Sequence, residues 1–133
     1  MNADSMKELA AIRLIRAKEL LKDAENLLER ESYKSANNRA FYAAEKAIKA
    51  ALSTVGKDSE SHVGLIRTFN MEFVHKEIDY FSREDLRIMQ NMEQIRNASD
   101  YDDFYIADKS ECIEQVENAK KLIEKVENYM SRS

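Results

Sequence analysis

Apolar residues recur along this chain at alternating steps of three and four. From Ala10 they run through Leu14, Ala17, Leu21, Ala24 and Leu28, the spacing of a helix that turns one face to a bundle. Leu9, Leu20 and Leu27 widen that face beyond a narrow two-helix seam. Ser5 is placed to cap this first helix, which the pattern carries to about Arg30 before a break at Glu31-Ser32. A second run, from Tyr33 to about Val55, holds Ala36, Ala40, Ala43, Ala44, Ala47, Ala50 and Ala51, with Phe41, Ile48 and Leu52 for bulk. Alanine is the best helix former and lets neighbouring backbones approach closely, so this segment predicts the central helix. Gly56 then ends it in the manner of a C-cap.

The next stretch is less regular. Ser59 or Ser61 opens a short helix with Val63, Leu65, Ile66, Phe69 and Phe73, and Asn70 with the charges beyond it predicts a loop or a second short turn. Ser82, followed by Glu84 and Asp85, starts another helix, with acids where the helix dipole favours them. Leu86, Ile88, Met89, Met92 and Ile95 form its buried side, and it reaches Arg96 or Asp100. Asp108 through Glu111 has the form of a capping box for a last helix. Its face would be Ile113, Val116, Lys120, Ile123, Val126 and Met130, with Lys120 snorkelling.

Composition narrows the class. Among 133 residues there is no Pro and no Trp, and Gly occurs twice; turn-rich sheets need more of both turn formers. The expected fold class is all-α, a bundle of four long helices plus a short helix, with residues 1–133 forming one domain. A net charge of −4 argues against an unspecific nucleic-acid coat while leaving room for a local basic stripe. Cys112 is the single cysteine, so no intrachain disulfide or Cys-based metal site is expected. No apolar run approaches the length of a membrane span, and Met1-Asn2-Ala3-Asp4 lacks the features of a signal peptide. The expectation is a soluble, cytoplasmic domain without cofactor or metal.

Three places carry candidate chemistry. Glu93, Arg96 and Asp100 follow at helical spacing, which reads as a charge ladder worth about 0.2–0.5 kcal/mol per pair. The same arginine, with Asn97 and Tyr101 beside it, suits phosphate binding, because a planar guanidinium contacts two oxygens at once. Arg39, Tyr42, Lys46 and Lys49 form a stripe that could track an RNA backbone and stack a base; the competing reading is a solvated face with a Glu45–Lys49 pair. His62 and His75, the two histidines, stand in no metal-ligand spacing. Asp100, Asp102, Asp103 and Asp108 lack the glycine of a calcium-binding loop. There is no phosphate-cradling glycine loop and no serine elbow.

Several segments together resemble the HEPN domains, in particular their small stand-alone prokaryotic branch. Ser35-Ala36-Asn37-Asn38-Arg39-Ala40-Phe41-Tyr42-Ala43-Ala44 is similar to that branch's Asn/Ser-Arg-Ala-Tyr-Tyr-Ala helix. Ser61-His62-Val63-Gly64 with Phe69 resembles its Ser/Thr-His…Phe segment, and Arg96-Asn97-Ala98-Ser99-Asp100-Tyr101 its Arg…Ala-Asp-Tyr motif. The resemblance covers most of the chain. It implies an up-and-down bundle that dimerises with two copies of the arginine motif facing one cleft, metal-independent RNase activity in many members, and a minimal nucleotidyltransferase partner in a toxin–antitoxin pair. In the RNase branches a histidine follows the arginine and a polar residue; here Tyr101, Asp102 and Asp103 occupy the places where it would stand. In related toxins the partner modifies a tyrosine just beyond that histidine, and Asp103 holds that place here, flanked by Tyr101 and Tyr105.

The missing histidine matters chemically. RNA cleavage without metal needs one group to take the 2′-hydroxyl proton and another to protonate the leaving oxygen. Imidazole does this near neutrality, whereas Tyr and Asp side chains are poorly matched unless strongly shifted. The resulting expectation is a HEPN-type nucleotide- or RNA-binding homodimer working with a nucleotidyltransferase, with RNase activity weak or absent. Arg96 would hold phosphate, Asn97 and Asp100 would orient it, Tyr101 would stack, Arg39 and Tyr42 would line the cleft, and His62 would be the substitute proton carrier. On this view Arg96→Ala leaves the melting temperature nearly unchanged. The rival expectation is a non-catalytic helical interaction module in which the same charges serve the bundle.

Overall fold

The computed structural model describes residues 2–58, 61–75 and 80–132, apart from the side chain of Val63. Four long helices and one short one make up the expected all-α bundle: α1 (Ala3–Glu29), α2 (Tyr33–Ser53), α3 (His62–Phe69), α4 (Arg83–Tyr101) and α5 (Lys109–Met130). No strand occurs among the described residues. α1, α3, α4 and α5 all pack on α2, of which thirteen of 21 residues are buried. Ala40, Ala43, Ala44, Ala47, Ala50 and Ala51 have no exposed surface; their small side chains let neighbours approach from several sides at once. The predicted central helix is central for that reason.

Helix ends follow local hydrogen-bond chemistry. Asn2, rather than Ser5, caps α1: its Oδ1 accepts from Ser5 N–H at 2.8 Å. α1 ends where Ser32 N–H donates to Leu27 C=O and Glu31 N–H to Leu28 C=O, with Glu31 at φ 64°. This is a Schellman closure carried by a residue with a Cβ. α2 closes the same way: Lys57 N–H reaches Leu52 C=O, with Gly56 at φ 71°. Ser61 caps α3 through Gly64 N–H, while the alternative Ser59 lies outside the described residues. Ser82 and Asp85 form a reciprocal capping box on α4. At α5 only half of the expected box forms: Asp108 accepts from Glu111 N–H, but the Glu111 carboxylate accepts from the Tyr105 hydroxyl instead.

Beyond α3 the second of the two expected alternatives, a short turn, forms over the described residues, and it is π-helical. Asn70–Val74 is a single π-helical turn, which delivers Phe73 and Val74 to the core. There Phe69, Phe73, Phe81, Tyr80 and Tyr129 form a contiguous ring cluster with centroids 5.0–5.9 Å apart. The buried face of α5 is Cys112, Gln115, Val116, Ala119, Leu122, Ile123 and Val126. That is rotated from the predicted face, since Ile113 is 41% exposed and Lys120 points to solvent. This face meets α2: Cys112 Sγ lies 3.7 Å from Tyr33 C=O and Gln115 Nε2 donates to Asn37 C=O at 3.4 Å.

Enlarging an α2 alanine should therefore be costly. Ala47→Leu is expected to destabilise the protein by about 1–3 kcal/mol, read as a lowered urea midpoint at unchanged slope. Glu31→Gly should act in the opposite direction, by about 0.5–1 kcal/mol, because glycine adopts positive φ without a Cβ clash.

Candidate functional site

The α4 helix continues through Tyr101, so Arg96 and Asp100 lie one turn apart on the same strip. Arg96 is 7% exposed, and its guanidinium is shared by two helices. Its Nη2 donates to the Tyr42 hydroxyl of α2 at 2.7 Å, and its Nη1 donates to Asn97 Oδ1 at 3.0 Å. Arg96 Nε stands 3.2 Å from Asp100 Oδ2, off the hydrogen-bonding direction, so that contact is ionic. Asn38 Nδ2 donates to the same carboxylate oxygen at 2.8 Å. The Tyr42 and Tyr101 rings each stand 5.3 Å from the guanidinium carbon, within cation–π range. Burial works against the charge of Arg96, yet the Tyr42 hydrogen bond, both phenols and Asp100 more than offset it and raise its pKa.

The predicted ladder is half present. Arg96–Asp100 forms, but Glu93 makes no ion pair with Arg96, and its buried Oε2 has no hydrogen-bond partner. Glu45 does not pair with Lys49; its carboxylate, 9% exposed, takes the Nδ1–H of His62 at the start of α3. The His62 ring lies 5.7 Å from the Tyr42 ring and 5.4 Å from Phe41, centroid to centroid. Tyr42 thus stands between two polar clusters, Arg96–Asp100–Asn38 on one side and His62–Glu45 on the other. Asn38, Tyr42 and Glu45 follow at steps of four and three along α2, which places all three on one face.

Five of the predicted site residues, Arg96, Asn97, Asp100, Tyr101 and Tyr42, meet directly, and His62 joins them through the Tyr42 ring. Arg39 is exposed and touches none of them through a hydrogen bond, ion pair or ring contact. His75 lies apart, in a surface cavity with Arg83 and Arg87. Asn38 and Glu45 escaped the sequence reading, although their spacing from Tyr42 was a usable signal.

A second polar network braces the motif from below. Buried Asn37 donates to Ser99 Oγ at 3.2 Å, and Ser99 Oγ donates to Ile95 C=O at 2.8 Å. Gln115, with no exposed surface, donates to Met92 C=O at 3.0 Å. These contacts tie α2, α4 and α5 together where α4 ends.

Lys46 and Lys49 continue from Tyr42 along α2, with Lys49 half-buried and Lys46 alongside it, and with Arg39 they have no ion-pair partner among the described residues. Burial lowers the Lys46 pKa, and Lys49 and Arg13 lower it further. Positive charge is thus concentrated locally despite the acidic total. Among the described residues no group of three His, Cys, Asp or Glu side chains is arranged to hold a metal ion. None of their helices is long and apolar enough to cross a membrane.

The HEPN domain model matches residues 10–129. The chain belongs to the HEPN family. A "UPF0332 protein" of Thermotoga maritima is 33% identical over 86% of this HEPN chain and 80% of its own length. A Methanocaldococcus jannaschii protein named "Putative toxin MJ0605" is 33% identical over 76% of this chain and 73% of its own. The crystal structure of TT1696 from Thermus thermophilus superposes with a TM-score of 0.74 at 21% identity, covering 90% of this chain and 96% of that one; at that identity it speaks for the HEPN fold alone.

The burial of Arg96 argues that its removal is felt in folding. Arg96→Ala strips Tyr42, Asn97 and Asp100 of a buried partner and should cost about 2–4 kcal/mol, measured by denaturant titration. Arg96→Lys, which keeps the charge, should cost less. Cys112 offers a separate check. Burial, then Asp108 and Glu111, push its thiol from 9.0 up to about 11. The native state holds that proton more tightly than the unfolded chain, so this contribution to stability is complete below pH 9 and is lost as pH rises towards 11. Native protein should accordingly react slowly with a thiol reagent at about pH 8, and urea should release the reaction.

Proposed function

We propose that this chain is a toxin-like HEPN protein whose Arg96 cleft binds the phosphate of RNA or of a nucleotide. The observation that carries this reading is the Arg96 guanidinium itself, held between the Tyr42 and Tyr101 rings at 5.3 Å each. Two of its N–H groups are used in hydrogen bonds and Nε is buried against Asp100, so a phosphate oxygen would take the remaining Nη hydrogens. Tyr101, 72% exposed, is positioned to stack on a base. Asn97 and Asp100 fix the guanidinium plane, and Arg39, Lys46 and Lys49 supply backbone attraction along α2. The toxin assignment draws on the name of the Methanocaldococcus jannaschii relative.

The protein works as a homodimer, with a minimal nucleotidyltransferase as its partner and antitoxin. Phe104 and Ile106, 93% and 86% exposed, lie beside the Arg96 motif in sequence and favour a second copy covering that end of the bundle. A rival reading, a non-catalytic interaction module, draws on the same burial of Arg96 and on its contacts with Tyr42, Asn97 and Asp100.

Fluorescence anisotropy with a labelled single-stranded oligoribonucleotide and with ATP separates the two. Wild-type protein should bind at least one of them, and Arg96→Lys should weaken binding about tenfold or more, because lysine loses the two-oxygen geometry. Replacing Lys46 by Ala should weaken RNA binding across sequences and shrink the slope of log affinity against log salt by about 1. Expression of the chain alone should slow growth, and co-expression of a nucleotidyltransferase should restore it. A dimer that binds neither probe would leave the interaction module as the better account.

A further inference from the structure

His75 stands outside the Arg96 cluster, in a surface cavity of about 500 Å³ that it lines together with Arg83, Arg87, Asn70 and Gln90. No acid lines that cavity among the described residues. His75 and Arg83 make no hydrogen bond, ion pair or ring contact there. Arg87 pairs with Glu84 at 2.9 Å, but both side chains are more than half exposed, and such a pair is weak enough for another anion to replace it. The imidazole offers an N–H in either charge state, the guanidiniums offer planar forks, and the two amides add donors. That set suits phosphate oxygens. Arg83, Arg87 and Gln90 also begin a strip along α4. With Gln94, Asn97 and Tyr101 they follow at steps of four and three, and all six are exposed. The strip is about 27 Å long at 1.5 Å per residue. The acids of α4 lie off it: Asp85 is buried against Lys125, Asp100 meets Arg96, and Glu84 and Glu93 fall on its flanks. It ends at Asn97 and Tyr101, both of which touch the Arg96 guanidinium. In a chain of net charge −4, an acid-free path thus joins two cationic spots.

We propose that the ligand of the Arg96 cleft is an extended single strand of RNA, and that its backbone follows this strip to a second phosphate site made by His75, Arg83 and Arg87. The proposal rests on the reading that the Arg96 cleft takes phosphate. With one phosphate on Arg96 and a base stacked on Tyr101, the strand passes Asn97, Gln94 and Gln90, whose amides donate to phosphate and accept from ribose hydroxyls. A further phosphate enters the cavity and displaces Glu84 from Arg87, while Val74 and Leu86 give the cavity an apolar wall for the ribose. A span of about 27 Å takes several nucleotides, so a free nucleotide fills one end alone. Phosphate contacts carry no sequence information, so the strip holds strands of any sequence. The track is separate from the lysines of α2, because its cations belong to α4 and to the turn after α3.

The test compares binding of the whole chain to ATP, to a diribonucleotide and to an oligoribonucleotide of about ten nucleotides, each over a range of salt. Wild type should hold the long strand about tenfold or more tighter than the dinucleotide. The double change Arg83→Gln with Arg87→Gln should remove that gain and reduce the slope of log affinity against log salt by about 1.4, at about 0.7 per phosphate contact. Its affinity for the dinucleotide and its melting temperature should stay close to wild type, since both side chains are on the surface. Arg16→Gln with Lys22→Gln removes the same charge from exposed positions of α1 and should leave the gain intact. Equal affinity for both lengths, an undiminished gain in the Arg83 and Arg87 variant, or an equal loss in the α1 variant overturns the track and leaves the Arg96 reading standing. Binding of none of the three probes removes both.

Discussion

Everything in this bundle leans on the close approach that α2 permits. Its alanines, fully buried along most of the helix, let α1, α4, α5 and α3 crowd round one element, and close packing of that kind transmits small changes in side-chain volume. Crowding has a consequence for polar residues on the same helix. Asn37 and Glu45 are drawn below the surface with the alanines and must find partners there, because an unsatisfied buried polar group is costly. Asn37 finds Ser99, and Glu45 finds His62. Asn38 and Tyr42, half-buried beside them, reach Asp100 and Arg96. The cluster is thus what the half-buried polar residues along the edge of the alanine face collect from neighbouring helices.

Arg96 sits between two roles. Its burial makes it part of the fold, and its contacts with Tyr42, Asn97 and Asp100 hold the charge in one orientation. These roles are compatible, since a guanidinium that needs no reordering loses little entropy when it meets an anion. The same burial couples the two polar clusters: Tyr42 is bonded to Arg96 and its ring lies tilted beside that of His62.

Much of this was legible in the residues. The three-and-four spacing in α1, the alanine density of α2 and the Ser82 start of α4 all correspond to what folds. The motif from Ser35 to Ala44, that around Ser61-His62 and that from Arg96 to Tyr101 pointed to the HEPN family. Reading stopped where pairing depends on more than one helix. Glu45 has a lysine at the favourable helical distance, yet a histidine from α3 takes it, because desolvation makes a buried partner worth more than a solvated one. The face of α5 differs from the predicted one for a similar reason: the i, i+3, i+4 pattern of α5 is set against α2, whose flank takes Cys112, Gln115 and Ala119. The π-turn after α3 carries no simple sequence signal, since only the demand for Phe73 in the aromatic cluster selects it.

The amino-acid sequence by itself determined the class, the helices, most of their ends and the family, because these rest on local hydrogen bonding, spacing and composition. Only the tertiary structure decided that Arg96, Tyr42 and His62 belong to one cluster. They come from three helices separated by 20 and 34 positions in the chain, and no local rule relates them. Their meeting is set by how closely the alanine face of α2 lets α3 and α4 approach.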